Sequence, residues 1–140
     1  KGRFTVINKK PLFIVDGAHN AGAADKMAES IRHYFNGKKL IYIMGVFADK
    51  EYKIVLEKTA HFAEKIYTIE TPDNPRALPA EELAKAARVY NSSAESTKSI
   101  KDAVEKAFSC AGDDENSVIL AFGSLSFIGA LTNAVEEYVG

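Results

Sequence analysis

The chain has 140 residues, the length of one ordinary domain, with 46% hydrophobic and 26% charged residues. Its 18 Lys and Arg against 19 Asp and Glu leave a net charge of −1, which argues against a nucleic-acid module working through bulk electrostatics. No apolar run approaches the ~18–20 residues of a bilayer span, no signal-peptide core follows Lys1, and one cysteine, Cys110, makes neither a disulfide nor a zinc site alone. A globular domain of cytoplasmic type is left. Opening on Lys1 rather than Met, it reads as an excised piece of a longer protein.

Residues 4–7 and 12–15 read as two neighbouring strands across the polar turn Asn8-Lys9-Lys10-Pro11. Residues 20–36 then place Ala24, Met27, Ala28, Ile31 and Phe35 on one helical face, with Asn20 as N-cap and Gly37 as the stop. A third strand over 40–44 precedes a less regular helix over 51–63, whose stripe is Ile54, Leu56, Ala60 and Phe62. A fourth strand over 65–69 follows. Pro79 opens a helix over 79–90 at its first position, with Leu83, Ala86, Ala87 and Tyr90 as the buried stripe. Residues 94–96 are a short candidate strand, and 98–110 a helix carrying Ile100, Val104, Ala107 and Phe108. The last strand, 117–122, leads into a helix over 126–138 with Ile128, Leu131, Val135 and Tyr138. Strands apolar on both faces are the mark of a parallel sheet covered by helices. The alternation predicts one domain, 1–140, folded as a Rossmann-like three-layer α/β/α sandwich with a mostly parallel sheet.

Ligands of such sheets bind at the carboxyl ends of the strands. Those ends carry Asp16-Gly17-Ala18-His19-Asn20, Gly45-Val46 with Asp49-Lys50, Asp73-Asn74-Pro75-Arg76, and Gly123-Ser124. Gly17 and Ala18 let backbone approach a ligand, and the helix start beyond them offers N–H groups to an anion. Asp16 suits ribose hydroxyls, and His19 a phosphate or carboxylate. Lys50 offers a point charge, while Arg76 offers a planar fork on a loop stiffened by Pro72 and Pro75. Each segment taken alone is equally a turn or a helix cap. His33 and His61 fall on helical segments and read as structural or solvated. No His pair at i, i+4 and no His/Cys cluster is present, so no metal site is expected from this chain. There is no G-x-x-x-x-G-K-[ST], no G-x-G-x-x-G and no G-x-S-x-G.

Gly2-Arg3-Phe4 ahead of a strand, Asp16-Gly17-Ala18-His19-Asn20, Gly45-Val46 with Asp49-Lys50, Pro75-Arg76-Ala77 and Gly123-Ser124-Leu125 come in the order and spacing of one family. Across essentially its whole length the chain resembles the C-terminal domain of folylpolyglutamate synthase/dihydrofolate synthase, a branch of the Mur ligase superfamily. The resemblance implies the Mur ligase C-terminal domain fold within an ATP-dependent, ADP-forming amide ligase. In such an enzyme a folate carboxylate is phosphorylated, and the amino group of L-glutamate attacks the acyl phosphate. A central domain, absent here, would supply the P-loop and the Mg²⁺ ligands, so the chain alone is expected to be inactive. By the same resemblance Arg3 would contact the ATP phosphates, with Asp16 and Asn20 completing ATP binding. His19, Lys50, Arg76 and Ser124 would line the glutamate site, and Arg3, His19 and Lys50 would be catalytic. The implied partners are ATP, L-glutamate and a folate shared with a missing N-terminal domain, in a cytoplasmic monomer that binds neither nucleic acid nor membrane.

Asp73-Asn74-Pro75-Arg76 also resembles the element by which a peptidoglycan branch of the superfamily reads diaminopimelate. Here it runs into Ala77-Leu78-Pro79, and P-R-A is the folate pattern. Two alternatives accompany the folate reading. One is a Mur-type ligase adding an amino acid to a UDP-linked peptidoglycan precursor. The other is a non-catalytic, receiver-like signalling module with Asp16 or Asp49 as phospho-acceptor.

Overall fold

The computed structural model describes residues 4–140 apart from the side chain of Leu125, so Arg3, expected at the ATP phosphates and in catalysis, lies outside the described residues. In chain order the elements are β1 (Thr5–Lys9), β2 (Leu12–Asp16), α1 (Ala21–Tyr34), β3 (Lys39–Gly45), α2 (Tyr52–Thr59) and β4 (Ala63–Thr68). There follow α3 (Ala80–Arg88), β5 (Ala94–Ser96), α4 (Ile100–Ala111), β6 (Ser117–Gly123) and α5 (Ile128–Val139). Short 3₁₀ turns, Ala60–Phe62 and Leu125–Phe127, lead out of α2 and into α5.

The strands form a six-stranded sheet in the order β1-β2-β6-β3-β4-β5. β1 runs antiparallel to β2 on the outer edge, and every other pair is parallel. Alternation along the strands divides the side chains between two cores. Leu40, Tyr42 and Met44 join Leu120 and Phe122 in one, under Met27 and Ile31 of α1, Leu56 of α2 and Leu83 of α3. Ile41, Ile43 and Ile119 face the other, under Val104 and Phe108 of α4 and Leu131 and Val135 of α5. The three-layer expectation is therefore met.

The direction of travel reverses once. The chain steps outward from β2 through β3 and β4 to β5, then α4 carries it back to place β6 between β2 and β3. Right-handed crossovers in opposite directions put their helices on opposite faces. So α2 leaves the top of β3 toward one face while α5 leaves the top of β6 toward the other, and a crevice opens between them.

Several sequence expectations need correction. The helix expected over 51–63 stops at Thr59, because its last carbonyls are taken by side chains from elsewhere. The Tyr42 hydroxyl donates to the Thr59 carbonyl at 2.7 Å, and Asn91 Nδ2 donates to the carbonyls of Ala60 and Ala63 at 2.8 and 2.7 Å. β4 consequently starts at Ala63 rather than 65. The buried stripe of α2 is Val55, Leu56 and Thr59, and Ile54 is 38% exposed. Tyr90 and Tyr138, expected inside, are exposed: Tyr90 lies beyond the end of α3, and Tyr138 stacks on Phe108 at the rim, 4.5 Å between ring centres. Among the described residues no helix is long and apolar enough to cross a membrane.

Candidate functional site

The crevice is floored by two glycines in register, Gly45 closing β3 and Gly123 closing β6. Gly123 has φ +123°, and a Cβ there would run into the Gly45 carbonyl oxygen. A Cβ on Gly45 would meet Ile69 Cγ1 at 2.9 Å and Phe127 Cε2 at 3.2 Å. Only glycine at both positions lets the two strand ends lie this close and then part.

Above this floor lies a pocket of about 270 Å³. His19, Lys50, Arg76 and Ser124, the four residues expected at an amino-acid site, all line it. They come from the ends of four different strands, separated by up to 105 positions in sequence, yet the topology brings them to one crevice. Val46, Phe47, Tyr52 and Val55 form an apolar wall, and Gly123 and Ser126 complete the lining. Cationic and hydroxyl donors beside an apolar wall make a site for a small molecule carrying negative charge on a short carbon chain.

Each polar group is held by its own local structure. His19 Nδ1 lies 2.8 Å from the Gly17 carbonyl oxygen. A carbonyl only accepts, so Nδ1–H is the donor of this contact, and Nε2 lies on the opposite edge of the ring. Ser124 accepts from the Ser126 N–H at 3.2 Å and shares a hydrogen bond with the Ser126 hydroxyl at 2.8 Å. Buried Phe127 anchors the turn from below.

Arg76 is the most elaborately fixed. Its loop is tied to the one after β3 by a bridge between Phe47 and Ala77, with Ala48 N–H donating to the Arg76 carbonyl at 2.7 Å and Leu78 N–H to the Val46 carbonyl at 3.0 Å. Asn74 Oδ1 accepts from the Arg76 N–H at 2.9 Å, and Asp73 turns the chain with φ +56°. The Asp-Asn pair of this segment thus builds the turn that delivers Arg76. The guanidinium lies over the Phe47 ring, 4.5 Å from its centre, and donates from Nε and Nη2 to the two oxygens of Asp49, both at 3.1 Å. The hydrogen bonds from Arg76 hold the Asp49 carboxyl below the usual carboxylate range.

Asp16 and Asn20 sit beside the pocket rather than in its lining. Asp16 is 7% exposed and accepts the Ala18 N–H at 2.8 Å. Asn20 caps α1 by accepting from Ala23 N–H at 2.9 Å, and Glu51 Oε1 accepts from Ala21 N–H at 3.0 Å. The N–H groups expected to await an anion at this helix start are therefore largely engaged within the chain. Among the described residues no group of three or more His, Cys, Asp or Glu could hold a metal ion.

Sequence reasoning missed Phe47, Tyr52 and the partnership of Asp49 with Arg76. An aromatic residue directly after the Gly45-Val46 strand end was the available signal for Phe47. Nothing in the spacing of Asp49 and Arg76, 27 residues apart, announces their contact.

Residues 2–125 match the family described as Mur ligase, glutamate ligase domain. The chain is 28% identical over 135 residues to the dihydrofolate synthase/folylpolyglutamate synthase of Bacillus subtilis, covering 96% of this chain and 30% of that protein. Among solved structures it resembles Mycobacterium tuberculosis folylpolyglutamate synthase complexed with ADP and AMPPCP, with 25% identity and a TM-score of 0.81 over 99% of this chain and 32% of that one. The bifunctional folylpolyglutamate synthase/dihydrofolate synthase of Yersinia pestis, complexed with AMPPNP and a Mn ion, is similar too. It shows 25% identity and a TM-score of 0.78 over 96% of this chain and 31% of that one. The chain thus spans about a third of the length of these relatives. With a match over most of its residues and a crevice of this build, the chain belongs to the Mur ligase family, as its glutamate ligase domain.

Proposed function

We propose that the chain, residues 1–140, is the C-terminal, amino-acid-binding domain of a folylpolyglutamate synthase-type ligase that joins L-glutamate to a folate. The observation that carries this reading is the convergence of His19, Lys50, Arg76 and Ser124 on one pocket. In the reaction an oxygen of the folate carboxylate takes the γ-phosphoryl group of ATP and ADP leaves. The glutamate amine then attacks the carbonyl carbon, phosphate departs, and the amine gives up a proton.

The residues divide that work by their chemistry. L-glutamate brings two carboxylates, for which Arg76 offers a fork, Lys50 a point charge and Ser124 a hydroxyl. Its ammonium must lose one proton before the nitrogen can attack, and His19, whose Nδ1 is turned to the Gly17 carbonyl, offers Nε2 for that step. The apolar wall of Val46, Phe47, Tyr52 and Val55 excludes water from an acyl phosphate that water would destroy. Asp16 and Asn20, beside the pocket, and Arg3 ahead of β1 are the residues that would meet ATP. Mg²⁺ would be held by groups outside the described residues, and the same holds for the phosphate-gripping loop. The enzyme is proposed to act as a cytoplasmic monomer.

The receiver-like alternative gives way to the family match, and the chemistry agrees: Asp49 is engaged by Arg76, and Asp16 is buried against the Ala18 N–H. The decisive assay is ADP release by the full-length protein with Mg-ATP and L-glutamate, offered either a reduced folate or a UDP-muramyl acceptor. Release that needs both glutamate and folate is the expected result. Release only with the muramyl acceptor would move the protein to the cell-wall branch.

A further inference from the structure

The five N–H donors of a guanidinium lie on distinct edges, and Asp49 occupies one of them. Nε–H and one Nη2–H of Arg76 are given to its two oxygens at 3.1 Å. Both Nη1 hydrogens and the second Nη2 hydrogen fall outside that bridge. Among these, Nη1 and Nη2 present a second parallel fork, pointing along the side chain rather than across it. The Phe47 ring, its centre 4.5 Å from the guanidinium carbon, supports one side of the group, and the two-point Asp49 bridge restrains its rotation. A free arginine head would sample many orientations and lose that rotamer freedom on binding.

We propose that Asp49 is a positioning residue for amino-acid binding: it holds Arg76 so that its end-on fork, rather than its side-on edge, meets a carboxylate of the incoming amino acid. The inference rests on the functional reading above and adds a residue to it. Asp49 itself does not touch the substrate. It also neutralises Arg76, so the site recognises a carboxylate by shape, through two parallel N–H bonds, more than by net charge. A phosphate or a singly placed acceptor gains less from such a fork. The neighbouring Lys50, on the same turn, remains the point charge. The turn itself is closed by Lys50 N–H donating to the Phe47 carbonyl at 3.2 Å, so the ring, the carboxylate and the lysine are set by one short segment.

Two measurements test this. In the chain as it stands, the Arg76 side-chain Nε–H signal, followed by NMR, is expected to be protected from solvent exchange and to lose that protection in Asp49→Asn. Unchanged protection in Asp49→Asn would overturn the proposal. In the full-length enzyme, Asp49→Ala is expected to raise the KM for L-glutamate about tenfold, with kcat and the KM for ATP little changed. Arg76→Ala is expected to raise it about a hundredfold, and the double variant to be no worse than Arg76→Ala alone, because both changes remove one interaction. Asp49→Glu, which keeps a carboxylate, should recover part of the loss. Multiplying effects in the double variant would show that Asp49 acts independently of Arg76 and would also overturn the proposal. A full-length protein with no glutamate-dependent activity would count against the functional reading instead, and the NMR comparison would still decide whether Asp49 positions Arg76.

Discussion

Gly123 pairs a φ of +123° with a carbonyl, that of Gly45, lying where its Cβ would go. Strain and overlap then act together, so Gly123→Ala is expected to cost at least about 2 kcal/mol of stability, visible as a lower urea midpoint. The Asp49 carboxyl responds to pH in a definite direction. Its folded pKa is depressed by Arg76, so the bridge contributes above the unfolded value of about 3.9 and is lost as pH falls through the folded one. Because both partners are partly exposed, the stability effect is small, and the site-specific readout is a carboxyl ¹³C titration. Its midpoint should return to the ordinary carboxylate range in Arg76→Ala. At this scale the sequence already set His19, Lys50, Arg76 and Ser124 in the segments that follow β2, β3, β4 and β6, and all four line one pocket. Asp49 was visible as the neighbour of Lys50 and as the phospho-acceptor of the receiver-like alternative but not as the partner of Arg76, since an ion pair across 27 residues depends on how two loops dock and leaves no mark on local spacing.

Among the elements, α2 shows what periodicity misses. Its sequence continues as a helix to Phe62, but Tyr42 and Asn91, which take the Thr59 and Ala60 carbonyls, bring it to an end. Burial raises the pKa of the Tyr42 phenol, keeping it a neutral donor at every ordinary pH. Asn91 holds two carbonyls, those of Ala60 and Ala63, at the junction with β4. Asn91→Ala should therefore cost about 2 kcal/mol by chemical denaturation, more than the ~1 kcal/mol expected for losing a helix cap such as Ser99. By contrast α1 and α4 begin at caps of their own, Asn20 and Ser99, and Gly112, φ +55°, closes α4. α2 ends through partners 17 and 31 residues away, which no window of local sequence contains.

For the whole molecule, the alternation of apolar runs was enough to imply a mostly parallel sheet with helices on both faces. It was not enough to give the strand order, because hydrophobic runs say that a strand is buried and not which neighbours bury it. One prediction belongs here. With no phosphate-gripping G-x-x-x-x-G-K-[ST] in its sequence, the chain alone should release no ADP from Mg-ATP above background, even with glutamate and folate present. Sustained turnover by the purified chain would sink the proposed division of labour.

The position of β6 has a consequence for the order of events in synthesis. β2 and β3 are not neighbours; each pairs with β6, which is made about 70 to 100 residues later. Until the final fifth of the chain emerges, the sheet is two separate pieces, each with an unpaired edge that would otherwise be its centre. The pocket shares that fate, since His19 stands on one piece and Lys50 and Arg76 on the other. Ribosomal delivery of residues 117–123 is thus what fuses the halves, and a nascent chain stalled before them would present two sticky strand edges and no place for an amino acid to bind.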